Sequence, residues 1–221
     1  MFNKIKKQFK DNDINIYKII WVFTLMAFLG CVIENVWYYV KWDKFVYNQG
    51  MVFGPFKQIY GFGGILITLL ATILKDKKVI TIFIFGFVFF GLFEYLSGLY
   101  LEVFTHTFAW DYSRVGYSLV IGKYVYLPYC FVWGLFAILW TKVFYKKINQ
   151  LLDILTKNKM KFLTIIVGIF FIVNLSLTIL ATKRFVDRHN GDAPNNFIEK
   201  YIDSTFDDAY MQKWLHKIRV L

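Results

Sequence analysis

Gly50-Met51-Val52-Phe53-Gly54-Pro55-Phe56-Lys57-Gln58-Ile59-Tyr60-Gly61-Phe62-Gly63-Gly64 stands between two long apolar runs, and its reading decides the fold. Pro55 has no N–H and a fixed φ, so the chain bends there or starts a helix. Gly54, Gly61, Gly63 and Gly64 permit backbone conformations and close approaches that larger residues forbid. A break of this kind beside an apolar helix lines a cavity or packs tightly on a neighbour when the helix lies in a bilayer. The stretch reads as the point where the chain re-enters a membrane.

Composition agrees. The chain has 221 residues, of which 57% are hydrophobic and 21% aromatic, and a formal net charge of +11. A soluble domain of this size carries more charge and far less Phe and Tyr. The lysines come in short clusters between apolar runs, as in the cytoplasmic loops of membrane proteins. No nucleic-acid recognition motif accompanies them, so nucleic acid is not an expected partner. Cys31 and Cys130, the two cysteines, lie inside apolar runs with neither CxxC nor Cys/His spacing; they read as small buried hydrophobes. No signal-peptidase site follows the first apolar run, and Phe28-Leu29-Gly30-Cys31 fits a lipoprotein box poorly, so the first span reads as uncleaved.

Five segments approach or exceed the roughly 20 helical residues needed to cross a hydrocarbon core. They run near Ile16–Val40, Phe56–Leu74, Val79–Val103, Val120–Phe144 and Phe162–Ala181. The clusters Lys4–Lys10 with Lys18, Lys75–Lys78, and Lys142–Lys161 alternate with Lys-poor, Trp- and Tyr-rich loops. The positive-inside rule then sets the N-terminus in the cytoplasm and the C-terminal tail outside a cell membrane. The expected organisation is a basic N-terminus over 1–15, a four-helix core over 16–145 with hairpins 16–74 and 79–144, and a basic cytoplasmic loop over 146–161. A fifth span over 162–182 and an extracellular tail over 183–221 follow. Within the tail, Phe197, Ile198, Tyr201, Ile202, Phe206, Tyr210, Trp214 and Ile218 recur at helical spacing, which predicts an amphipathic helix lying on the outer leaflet or packed on the protein's own loops. The fold class is therefore all-α: a polytopic membrane helix bundle of five transmembrane helices, two helix-hairpin repeats plus one, with a C-terminal amphipathic helix.

The repeat rests on matched motifs. Pro55-Phe56-x-x-Ile59-Tyr60-Gly61 and Pro128-Tyr129-x-x-Val132-Trp133-Gly134 share one pattern. Phe28-Leu29-Gly30 precedes Glu34 as Phe89-Phe90-Gly91 precedes Glu94, and Trp42-Asp43 answers Trp110-Asp111. Both copies start on the same side, so they are parallel repeats about an axis along the membrane normal. The two proline-led helices then face each other near the outer end.

Glu34 and Glu94 stand inside apolar runs, and Glu102 near the end of one. A charged carboxylate at mid-bilayer costs about 2.5–3.5 kcal/mol on insertion scales, so such groups face the bundle interior. Gly91, Glu94, Gly98 and Glu102 share one helical stripe, as do Ala27, Gly30, Glu34 and Tyr38. Two readings of the acids stay open: walls of a polar cavity, or structural carboxylates bonded to Tyr, Trp or Lys on a neighbouring helix, the latter favoured for Glu102. The loop Thr105–Arg114 holds His106, Asp111 and Ser113, side-chain types a hydrolase uses, but nearness in sequence is weak evidence because catalytic roles are geometric. Trp110 and Tyr112 fit an interfacial aromatic belt, and Asp111 a turn cap or a pair with Arg114. Gly116 to Gly122-Lys123 has the wrong spacing for a phosphate loop, and no HExxH or acidic pair supports a metal. No metal and no cofactor are expected.

Gly-Pro-Phe-x-x-Ile-Tyr-Gly-Phe-Gly after a span ending in Glu, then Glu-Tyr-x-Ser-Gly-x-x-x-Glu and Trp-Asp-Tyr-Ser, resembles the bacterial integral membrane family of CmpB-like, or ABC-transporter type IV, permeases. The resemblance covers roughly residues 16 to 145 and is carried by Glu34, Gly54, Pro55, Ile59, Tyr60, Gly61, Gly63, Glu94, Ser97, Gly98, Glu102, Trp110, Asp111, Tyr112 and Ser113. It implies a membrane permease role and a separate cytoplasmic ATPase partner, and names no substrate. The function expected is a permease or transporter component with an outward-facing polar cavity for a small molecule or lipid headgroup. Its binding residues would be Glu34, Gly54, Pro55, Tyr60, Glu94, Ser97, Glu102, Trp110, Asp111 and Tyr112. The alternatives are an intramembrane enzyme acting on a lipid or cell-envelope precursor through Glu94, His106 and Asp111, and a non-catalytic membrane partner subunit.

Overall fold

The computed structural model describes residues 14–43, 49–116, 118–215 and 217–221; the basic cluster Lys4–Lys10 lies outside them. The chain forms α1 (Ile16–Trp42), α2 (Gln58–Leu74), α3 (Val79–Thr105), α4 (Leu127–Leu139), α5 (Tyr145–Leu155), α6 (Lys161–His189), α7 (Phe197–Thr205) and α8 (Asp208–Trp214). A π-helical segment, Trp140–Phe144, joins α4 to α5 without a break. Two-residue strands make two small antiparallel pairs: β1 (Thr107–Phe108) with β4 (Arg219–Val220), and β2 (Val120–Ile121) with β3 (Val125–Tyr126).

Among the described residues four helices are long and apolar enough to cross a membrane: Ile16–Lys41, Val79–Thr105, Leu127–Leu155 and Asn158–His189. The apolar helix α2 is shorter, at 17 residues. Their outer faces carry large apolar side chains in the open, among them Val40, Phe104, Phe162 and Ile172, each more than 65% exposed. Faces like these need lipid around them. Between helices in lipid the hydrophobic effect gives little, so association rests on packing and buried polar contacts.

The glycines show how that packing is done. The Phe23 ring of α1 lies on Gly61 of α2, where a Cβ would sit 2.6 Å from it; the Phe83 ring of α3 lies on Gly134 of α4 at 2.7 Å. One turn further in, Met26 packs on Gly64 in the first hairpin, while in the second Gly86 receives Ala137. Large and small have changed places, but the contact is the same. The two hairpins are thus repeated in their packing as well as in their motifs. Between them lies a core of Ile67, Ala71, Ile82, Phe90, Ala137, Trp140 and Tyr145.

At the end of the bundle holding the α2–α3 turn, Lys18 is buried and pairs with Asp153 of α5 at 2.6 Å, and Lys142 Nζ donates to the carbonyl oxygens of Lys75 and Lys77. A cation on those carbonyls caps the C-terminus of α2 and meets the negative end of its dipole. The other end holds residues 49–57, the 107–126 loop and the tail. There Asn174 of α6 clamps Phe53: its Oδ1 accepts the Phe53 N–H at 3.1 Å, and its Nδ2 donates to the Phe53 carbonyl at 2.8 Å. Thr178 Oγ1 accepts the Val52 N–H, and the Tyr210 hydroxyl donates to the Val52 carbonyl. Gly54 has φ +75°, where its missing Cβ matters, and Pro55 then leads to α2.

Three expectations change in detail. The fourth span begins at Leu127 and not near Val120, because β-branched Val120, Ile121 and Val125 pair around Gly122 (φ +61°) as a hairpin. Pro128 therefore opens its helix, as Pro55 leads α2, instead of lying within it. The stretch 146–161 expected as a loop is helical over Tyr145–Leu155. The tail is two short helices in place of one. Asp207 caps α8 by accepting from the Tyr210 N–H, and its extended backbone ends the helical run. The tail packs on the protein itself: Ile202, Phe206, Met211 and Leu215 are buried with Val52 and Ala181.

Candidate functional site

The carboxylate expected in α1 meets cations of its own chain. Glu34 pairs with Lys57, at the start of α2, and with Lys217 of the tail at 2.9 Å. The Tyr60 hydroxyl lies 3.4 Å from Glu34 Oε1. Gly30 makes room for this, since a Cβ there would sit 2.1 Å from the Tyr60 ring. The Lys217 ammonium also stands 5.0 Å from the centre of the Tyr38 ring. Lys57 donates its backbone N–H to the Ala27 carbonyl, which fixes the start of α2 against the middle of α1.

Glu94 has no such cation among the described residues. Its Oε1 accepts the Tyr112 hydroxyl at 2.7 Å, with Trp133 of α4 as its other polar neighbour. Its Oε2 is buried and has no hydrogen-bond partner among the described residues. Trp133 occupies the repeat position of Tyr60, so each hairpin sets an aromatic donor beside its own acid. Where the first hairpin has Lys57, the second has Cys130, whose Sγ would lie 3.0 Å from a Cβ on Gly91. That exchange leaves one carboxylate ion-paired and the other not. Tyr60 is within electrostatic reach of both Glu34 and Glu94. Burial first, then the Glu94 charge, pushes the Tyr112 phenol far above its ordinary range, so it stays a donor.

The remaining expected site residues fall into separate groups. Glu102 pairs with Lys123 at 2.5 Å and accepts the Tyr124 hydroxyl at 2.6 Å, tying α3 to the β2–β3 hairpin. Trp110 Nε1 donates to the Tyr124 carbonyl. Asp111 accepts from the Ser113 N–H, the Ser113 hydroxyl and Arg114. Burial would raise its carboxyl, but the Ser113 and Arg114 donors prevail and hold it below the usual range. This is the turn-cap geometry, and no hydrogen bond among the described residues joins His106 to Asp111 or to Glu94. His106 is instead the left-handed residue ending α3 (φ 50°), and its carbonyl accepts the Leu221 N–H. Ser97 is half-buried on α3, one turn beyond Glu94. Gly54 and Pro55 shape the approach to Lys57.

Lys57, Lys217, Asn174, Thr178 and Trp133 were missed as site residues. A lone lysine inside an otherwise apolar motif was the available signal for Lys57. Asn174 stands in an apolar run as part of the triplet Asn174-Leu175-Ser176, and nothing in that triplet marks a backbone clamp.

Among the described residues no group of His, Cys, Asp and Glu side chains could hold a metal ion. No curated protein and no solved structure matches the chain. A family model matches residues 21–179, which takes in both hairpins and most of α6. The chain is a multi-pass membrane protein that belongs to the family described as "Putative ABC-transporter type IV".

Proposed function

We propose that this chain is the membrane-embedded permease component of a transport system, binding a small cationic or protonatable solute or lipid headgroup at the end of the bundle near Glu94. One observation carries the reading: the Glu94 carboxylate oxygen that is buried with no hydrogen-bond partner among the described residues, on an acid that neighbours Tyr112 and Trp133 and lies, like Glu34, within electrostatic reach of Tyr60. A buried acid left half-satisfied costs stability, and such sites concentrate where a ligand or proton completes them. In this reading Glu34, already ion-paired, flanks the bound solute; Gly54, Pro55 and Tyr60 stand at its edge, Ser97 and Tyr112 contact it, and Glu102, Trp110 and Asp111 brace the loop above.

The lysine distribution supports a cytoplasmic N-terminus in a cell membrane, with the tail and the Glu94 end outside. The opposite end then offers a cytoplasmic surface, α5 with Lys142, Lys146, Lys147 and Lys157, for a separate ATPase subunit. The helical form of α5 supplies the coupling element that a short loop would lack.

The test is purification from native membranes in mild detergent, with ATP hydrolysis measured on the complex. An ATPase that stays bound, and whose turnover falls at least tenfold with Glu94→Gln while the complex remains assembled, supports the proposal. Undiminished turnover in that variant overturns the role of Glu94. No nucleotide hydrolysis in any intact preparation overturns the permease reading.

A further inference from the structure

The two cations on Glu34 differ in how they are held. Lys57 is 7% exposed and begins a membrane helix, its backbone bonded to Ala27, so it is a fixed part of the bundle. Lys217 is 28% exposed and comes from the last few residues of the chain, 183 positions from the acid it meets. Lys217 lies between α8 and the two-residue β4, where Ile218 packs on the tail's apolar cluster and the Leu221 N–H bonds the His106 carbonyl. Its ammonium has a carboxylate oxygen at 2.9 Å on one side and the face of Tyr38 at 5.0 Å on another. A carboxylate with an aromatic face is the pair of groups that recognises an ammonium ion.

The geometry points to Lys217 as a tethered occupant of an ammonium-binding subsite formed by Glu34 and Tyr38. The tail is then an autoinhibitory plug, and the ligand class is a primary ammonium: a free alkylamine or the amine of a lipid headgroup. This rests on the permease reading for its purpose, but its test does not use ATP hydrolysis or Glu94, so either can fail alone.

A ligand ammonium replaces the Lys217 ammonium one for one. The charge of the cluster is unchanged, and no proton need move. For the plug to move, β4 must leave β1 and the end of α8 must leave the apolar cluster in which Met211 and Leu215 are buried with Val52 and Ala181. Arg184 and Arg188 of α6 hold Asp203 of α7, and a water-accessible cleft of about 310 Å³ lies beside them, lined by Lys183, Asp187, Asp192 and Glu199. Arg184 is buried, so these pairs anchor α7 to α6 while the segment beyond α7 moves.

The experiment uses the full chain in phosphatidylglycerol nanodiscs, titrated calorimetrically with n-butylammonium chloride at constant ionic strength. The probe copies the end of a lysine side chain; n-butanol is the uncharged control. Lys217→Met is expected to bind one n-butylammonium at least tenfold more tightly than the wild type, and n-butanol not at all. Adding Glu34→Gln or Tyr38→Leu to that variant is expected to weaken binding at least tenfold. Equal affinity in wild type and Lys217→Met, or binding that survives both second substitutions, overturns the proposal. Should Lys217→Met fail to fold, hydrogen exchange on the wild type decides. Saturable loss of protection in α8 and β4 on adding n-butylammonium supports the plug, and unchanged protection overturns it. Phosphatidylethanolamine discs separate the two sources: a lipid amine competes with the probe there and lowers its affinity, whereas for a free amine the two disc types agree.

Discussion

The Tyr112 hydroxyl donates to Glu94 Oε1 at 2.7 Å, so a residue of the 107–126 loop supplies the hydrogen bond to an acid set in a membrane helix. Removing it leaves the carboxylate with even less compensation. Tyr112→Phe is expected to lower stability by about 1–3 kcal/mol, the cost of orphaning a buried polar group. Glu94→Leu removes the group that needs the bond, so in that background Tyr112→Phe is expected to cost much less. Thermal unfolding of the four proteins in one detergent checks this. A coupling energy within about 0.5 kcal/mol of zero shows that the two groups act independently.

The paired glycines test the repeat. A Cβ on Gly61 would lie 2.6 Å from the Phe23 ring, and one on Gly134 2.7 Å from the Phe83 ring. Either ring must move, and overpacking of this kind costs about 1–3 kcal/mol. Gly61→Ala and Gly134→Ala are each expected to destabilise by that amount. Phe23→Leu should rescue the first and not the second; Phe83→Leu should do the reverse. Melting temperatures of the two double variants decide it, and rescue by the wrong phenylalanine would show that the helices are packed otherwise.

Much of this was legible because the membrane forces sequence to be plain. Long apolar runs and clustered lysines mark the helices and their connections, and Glu34 and Glu94 stand out because acids are costly in oil. The partners of those acids were less legible. Lys217 meets Glu34 from 183 residues away, and no local pattern encodes so distant a pair. The β2–β3 hairpin was hidden because Val120, Ile121 and Val125 are as apolar as the helix they precede, and a short apolar run does not tell strand from helix. The tail's periodicity survives its break at Asp207, since α7 and α8 turn the same kind of face, Ile202 and Met211, toward the bundle. Asn174 shows the remaining gap: its side chain serves a backbone, and backbone demand is invisible in composition.

Asn174 leads to a sharper expectation. Its amide satisfies both the N–H and the carbonyl of Phe53. Asn174→Ala leaves two part-buried backbone groups unpaired, at a cost toward the low end of about 1–3 kcal/mol each. Residues 50–56 are expected to lose hydrogen-exchange protection and to become sensitive to added protease, while the α2–α3 end is unchanged. Asn174→Asp, which accepts but does not donate, is expected to fall between. Equal protection of this segment in wild type and Asn174→Ala would show that the clamp contributes nothing.

Acid should loosen the tail. Asp203 is held below its ordinary range first by hydrogen bonds from Arg184, against the opposing effect of burial, and then by Arg188; the guanidinium groups lie 2.7 and 2.5 Å away. Glu199 is likewise lowered, first by the Asn195 N–H. A carboxyl whose folded value is depressed contributes stability that is present above its unfolded value, about 3.9 for Asp, and lost as pH falls through the folded one. The attachment of α7 to α6 is therefore expected to be constant from neutral pH down to about 4 and to weaken below it. Hydrogen exchange over 197–215, measured through pH-jump labelling, is expected to show that loss in the tail before the membrane helices change. Asp203→Asn removes the charge that Arg184 and Arg188 share, so it should make the tail labile at neutral pH and flatten its acid dependence. A tail equally protected in wild type and Asp203→Asn at pH 7 would mean that the buried Ile202, Phe206, Met211 and Leu215 hold it unaided.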